Sequence, residues 1–223
     1  MYPKTLSDFY QFSLHLIYAV IIGQSFLIAS NVFVPIGKLF VFTGFEDGFI
    51  LFLAYTVTIT GWVGWSRSIV KNPHSENSLG NFRFIVDLII IFLYYYLISL
   101  ADPSKEAQFH EAFIWVFPAI FLAYIGWDWL KFFEYKSDLS KAVLQRKKRA
   151  LITVYFFLAF SVQSFIYQYV SVNQQFLNWD GNLIWTEIFI ISSFTLCIAY
   201  RWLKWQIPVA RRRRRRQQKS SNK

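Results

Sequence analysis

A carboxylate inside an apolar run is the first residue to call for a chemical explanation. Asp87 lies in Arg83-Phe84-Ile85-Val86-Asp87-Leu88-Ile89-Ile90-Ile91, about one turn into a block that otherwise avoids water. At the centre of hydrocarbon such a group costs about 2.5–3.5 kcal/mol on insertion scales, and less nearer an edge. Two arrangements would offset that cost. In one, Asp87 lines a wet cavity or a path for ions or protons. In the other, Arg83, four residues back on the same helical face, reaches the interface and pairs with it. The two are compatible if Arg83 locks the path. Ile90 and Tyr94 extend this face, so Arg83, Asp87, Ile90 and Tyr94 are expected to point into a helix bundle.

Other polar groups in apolar surroundings are few. His15 shares a face with Tyr18, Ile22 and Ser25 and is a further candidate for the polar path. With an ordinary pKa of ~6.5 it is the one intramembrane candidate for a pH switch; the competing reading is a hydrogen-bonded packing residue. Asp128, between Trp127 and Trp129 and three residues before Lys131, reads as an interfacial carboxylate with Tyr124 in reach one turn deeper. Gln24 and Gln163 read as hydrogen-bond partners between helices, which specify contacts more than they stabilise them.

Catalysis and metal binding find no constellation. Histidines occur at positions 15, 74 and 110, too scattered for a multi-histidine centre, and Cys197 is the single cysteine. There is no phosphate-cradling glycine loop and no spaced Ser, His and Asp set. A helix with arginine at every third position and a Thr-Val-Gly-Tyr-Gly filter are also missing. The expectation is a protein that is not an enzyme, with no catalytic residues, cofactor or metal.

The elements that must position these groups follow from composition. Of 223 residues, 55% are hydrophobic, 21% aromatic and only 16% charged, where a soluble domain carries about 25% charge. The apolar residues form six solid blocks near 12–30, 49–70, 84–100, 109–130, 150–170 and 183–205. Each approaches the ~20 residues that a helix needs to cross a bilayer, and β-barrel strands would be half as long and alternating. The expected fold is an all-α integral membrane protein, a six-helix transmembrane bundle over 12–207. A short segment, 1–11, precedes it and a basic tail, 208–223, comes after. Residues 1–11 carry no cleavage pattern of small residues, so the first block is expected to be a retained anchor.

Lysine and arginine set the orientation. With both termini and the 2–3 and 4–5 loops on one side, that side holds 21 of the 23 bases, leaving Lys38 and Lys105 opposite. Both termini are therefore expected in the cytoplasm. Residues 135–145 could carry the fourth helix onward past the membrane.

Repetition is weak but visible. Gly61-Trp62…Trp65…Arg67, Gly126-Trp127…Trp129…Lys131 and Ala199-Tyr200…Trp202…Lys204 each end a returning helix with aromatics and then a base. The pattern suits three consecutive parallel hairpins, and equally an aromatic belt with snorkelling bases. Gln-Ser-Phe recurs at 24–26 and 163–165. Thr56, Thr60, Gly64 and Ser68 recur every four residues, a small-residue face that lets helices pack closely within one chain or between chains. Pro118 should interrupt the hydrogen bonding of the fourth helix.

The tail holds Arg211, Arg212, Arg213, Arg214, Arg215 and Arg216 in one run. Beside a membrane each base is worth roughly 1 kcal/mol of attraction to anionic lipid. The expected partners are anionic headgroups, further copies of the chain and an acidic cytoplasmic protein. Without a folded reading module or interleaved aromatics, no specific nucleic acid is expected. The favoured function is an oligomeric channel or pore-type membrane effector. The alternatives are a non-catalytic membrane scaffold or sensor that recruits a cytoplasmic partner through its basic face, and a small transporter.

Overall fold

The computed structural model describes residues 5–33, 42–102, 109–136, 140–172 and 182–207. The arginine run of the tail lies outside them. The described residues form six helices and no strand: α1 (Leu6–Phe33), α2 (Phe42–Lys71), α3 (Ser78–Leu100), α4 (Phe109–Glu134), α5 (Ser140–Val172) and α6 (Asn182–Gln206). All six are long and apolar enough to cross a membrane. The chain is an all-helical protein with the make-up of a multi-pass membrane protein.

Two boundaries differ from the sequence reading, each for a local reason. Helix α3 starts at Ser78, not near 84, because Asn77 caps it: its side-chain oxygen accepts from the Gly80 N–H at 3.0 Å. Those of residues 135–145 that are described do not continue α4, which ends at Glu134. The chain turns, and the basic run Arg146–Arg149 belongs to the first turns of α5. Arg146 fastens that turn by donating to the Tyr135 carbonyl at 2.9 Å and to Asn72 Oδ1 at 3.3 Å.

Helix α4 packs between α3 and α5; α6 packs on α5 and α2; α2 touches α3 and closes the circuit, with α1 lying against α2 and α3. The middle of the bundle is aromatic. Phe160 stacks on Phe117 and on Phe121 with ring centroids 5.5 and 4.7 Å apart, and Phe189 meets Phe117 edge-on at 6.2 Å. Such contacts give specific geometry to a core that lipid would otherwise match in polarity.

Pro118 lies buried within α4 and cannot donate to the Ile114 carbonyl. Ser164 of α5 supplies the missing donor at 3.0 Å. Its neighbour Gln163 donates to the Phe189 carbonyl and to the Ser192 and Ser193 hydroxyls at 2.7–3.0 Å, tying α5 to α6 as expected. The matching trio on α1 does neither job. Ser25 bonds its own helix at Ile22, and Gln24 and Phe26 are exposed. Among the described residues Gln24 thus has no interhelical hydrogen bond.

Candidate functional site: a basic cavity

The C-terminal ends of α2, α4 and α6 meet the N-terminal ends of α3 and α5 at one end of the bundle, around a cavity of about 220 Å³. Five bases line it: Arg67 and Lys71 from α2, Arg149 from α5, and Arg201 and Lys204 from α6. Trp65, Tyr124, Trp127, Tyr200 and Trp205 supply aromatic walls, and Asp87 and Ile90 of α3 also reach it. The ends of three helices place carbonyl groups here, which favours cations. Arg149 uses this directly, donating to the carbonyls of Lys204 and Ile207 at 2.8 and 2.9 Å.

Carboxylates do not balance this charge. Lys204 pairs with Asp128 at 2.9 Å, and Thr153 donates to the same oxygen at 2.7 Å. Arg201 has only uncharged partners, the Tyr124 hydroxyl at 2.9 Å and Thr60 Oγ1 at 3.3 Å, with the rings of Tyr200 and Tyr124 at 5.2 and 5.7 Å. Lys131, buried behind the wall, donates to Ser68 and lies 4.6 Å from the Trp127 ring centroid. Among the described residues, Lys131, Arg149 and Arg201 have no carboxylate at ion-pair distance. Trp127 is nine-tenths buried in the lining, and its indole N–H has no hydrogen-bond partner.

The expected polar stripe on α3 is real as a face. Arg83, Asp87, Ile90 and Tyr94 are all buried. Arg83 and Asp87, whose pairing is one of the two arrangements open in the sequence, take other partners. Arg83 bonds Glu134 of α4 and donates to the Asn72 carbonyl at 3.0 Å. Asp87 meets His74, from the 2–3 loop, at 2.8 Å. The loop folds back over the start of α3 and divides the two charges between separate partners. Tyr135 donates to the Pro73 carbonyl, and Glu134 accepts from the Ser75 N–H at 2.6 Å, so α4 holds the same loop.

Tyr94 bonds Tyr124, which is therefore turned to Arg201 and Tyr94 and not to Asp128. Asp128 is buried, and it takes Lys204 in place of Lys131. His15 lies apart from this cluster and accepts a hydrogen bond from the Trp62 indole at 3.3 Å.

The small-residue face of α2 opens room for a side chain. Thr60 accepts from Arg201, and a Cβ at Gly64 would stand 2.8 Å from the Arg201 guanidinium. Ser68 receives Lys131, and Thr56 bonds the Phe52 carbonyl of its own helix at 2.8 Å. The closer crossing is at Gly61, outside that register, where a Cβ would overlap the Tyr94 hydroxyl.

Arg201 and Arg149 do not stand out in the sequence as site residues, and Lys204 and His74 show there only as a helix ending and one of three scattered histidines. A signal for three of the walls was present. The aromatic-then-base endings of α2, α4 and α6 send Trp65, Trp127 and Tyr200 inward to one cavity, while Trp129 and Trp202 stay exposed as a belt requires. No protein-family model, curated protein or solved structure matches the chain.

Proposed function

We propose that this protein is a membrane-embedded, non-catalytic receptor for an anionic ligand, held at its basic end and facing the cytoplasm. The observation that carries this reading is a cavity lined by five bases, around which Arg149, Arg201 and Lys131 lack carboxylate partners. Lys131 is buried and Arg149 and Arg201 are half-buried, and charges withdrawn from water are costly unless paired. An anion in the cavity would supply that pairing to Arg149 and Arg201. The cytoplasmic assignment rests on the lysine and arginine distribution.

A conducting oligomer along the α3 stripe has less support. His74 occupies Asp87, and the packed rings of Phe117, Phe121, Phe160 and Phe189 lie directly beyond the polar end. Equilibrium dialysis of the detergent-purified full chain against radiolabelled inorganic phosphate and pyrophosphate tests the receptor reading. Saturable binding is expected, weakened at least tenfold in Arg201→Gln and in Arg149→Gln. Failure of the wild type to bind phosphate, pyrophosphate or any larger phosphate-bearing anion, or binding by both variants as tight as that of the wild type, would refute it.

A further inference from the structure

We infer that the ligand of this cavity is a lipid with a phosphomonoester headgroup, its head in the basic cavity and one acyl chain in the groove between α2 and α6. The inference rests on the anion-receptor reading and adds the chemical class of the ligand.

The groove is a second, almost wholly apolar concavity of about 210 Å³, lined by Thr56 and Thr60 on one side and Cys197, Ile198 and Trp202 on the other. Arg201 and Trp205 line both spaces, so one guanidinium marks the passage between them. The threonines do not make the groove polar. Thr56 and Thr60 each donate to a carbonyl of their own helix, at 2.8 and 2.6 Å, which uses their hydroxyl protons within α2.

The arrangement matches an amphiphile end to end. Ile198 and Trp202 are exposed along the outer side of the groove, open to where lipid chains run. Trp205 and Arg67, stacked with the guanidinium carbon 5.4 Å from the ring centroid, stand at the mouth of the basic cavity. This is the headgroup level, where indole rings concentrate. A soluble anion would use the cavity and leave the groove idle.

Charge selects the headgroup. A phosphomonoester carries about −1.5 to −2 charge near pH 7 and three acceptor oxygens. That answers Arg201 and Arg149 better than the single charge of a phosphodiester, whose positive substituent in phosphatidylcholine would also meet the bases. A cavity of about 220 Å³ further suits a compact head.

The test places the purified full chain in phosphatidylcholine nanodiscs and titrates in dioleoyl phosphatidic acid with brominated chains. Quenching of tryptophan fluorescence reads occupancy beside Trp202 and Trp205. Inorganic phosphate binding is measured separately on the same samples. Half-saturation is expected at a mole fraction at least tenfold lower for phosphatidic acid than for equally brominated phosphatidylcholine. Ile198→Trp, which fills the groove from an exposed position, should raise the phosphatidic acid requirement at least tenfold and leave phosphate binding unchanged. Thr56→Leu, a second obstruction from the α2 side, should act the same way, and Arg201→Gln should weaken both ligands.

Wild-type phosphatidic acid binding in both groove variants would overturn the lipid assignment, as would phosphate binding without any preference for phosphatidic acid. Either result leaves the receptor reading standing. Binding of phosphatidic acid with free phosphate too weak to detect supports the inference, since the chain then contributes the affinity. Binding of neither removes both proposals.

Discussion

At the scale of single residues, burial forces partners on charges, and the partners cannot be read from neighbours in sequence. Arg83 and Asp87 lie one turn apart on one face, and pairing them is one of the two arrangements open in the sequence. The structure gives each a partner from elsewhere, Glu134 and His74. The 2–3 loop brings His74 to Asp87, and a short polar loop has no periodicity that would announce where it folds.

Two outcomes are expected at this scale. Glu134→Gln leaves the fully buried Arg83 guanidinium without its carboxylate, and should destabilise the bundle by about 3–5 kcal/mol. The double change Arg83→Leu with Glu134→Leu should recover most of that loss. Reversible unfolding in mixed micelles measures both, and a double variant no better than the single would show that Arg83 is not the cause. Asp87 belongs to the cavity lining and already serves His74. Asp87→Asn should therefore tighten phosphate binding a few-fold by removing a like charge. Loss of binding would instead make Asp87 part of the recognition.

At the scale of elements, the six apolar blocks were legible because a membrane helix announces itself by length and composition. The ends were less so. The cap at Asn77 and the turn held by Arg146 depend on contacts with neighbouring helices, beyond any single block. The α2 face shows the same division. Four-residue spacing located small residues at 56, 60, 64 and 68, but spacing cannot say whether the space admits a backbone or a side chain. It admits Arg201 at Gly64, whereas Gly61 receives Tyr94. Gly61→Ala should consequently cost about 1–3 kcal/mol through overpacking between α2 and α3. Gly64→Ala meets the movable end of one side chain and should cost less than about 1 kcal/mol, below the usual range for overpacking. Equal melting temperatures for the two variants would contradict the crossing described at Gly61.

At the scale of the whole molecule, the buried charges of the described residues are gathered at one end, and the aromatic core fills the depth of the bundle beyond it. That gradient agrees in direction with the lysine and arginine distribution from which the orientation is proposed. Reporter fusions after Ser137 and Lys223 should accordingly register the cytoplasm, and a fusion after Asn173 the opposite side. A cytoplasmic signal at Asn173 would break the six-crossing arrangement. The cavity itself was only half legible. Its aromatic walls stand in the three similar helix endings, but the convergence of those endings is a property of the closed circuit of helices.

The pairing of Lys204 with Asp128 has a consequence for how the protein is made. Helix α6 is the least apolar of the six spans and carries both Arg201 and Lys204. Their partners, Thr60, Asp128 and Tyr124, all lie on α2 and α4, which leave the ribosome earlier. The last helix thus enters a bilayer in which one counter-charge, Asp128, and two hydroxyl partners are already waiting, and its passage from translocon to lipid becomes a docking step on nascent neighbours. Insertion of α6 should be poor when it is offered alone to microsomes and efficient behind α1–α5. Asp128→Asn should lower that efficiency while leaving the first five spans in place. Full insertion of the isolated helix would show that it needs no such reception.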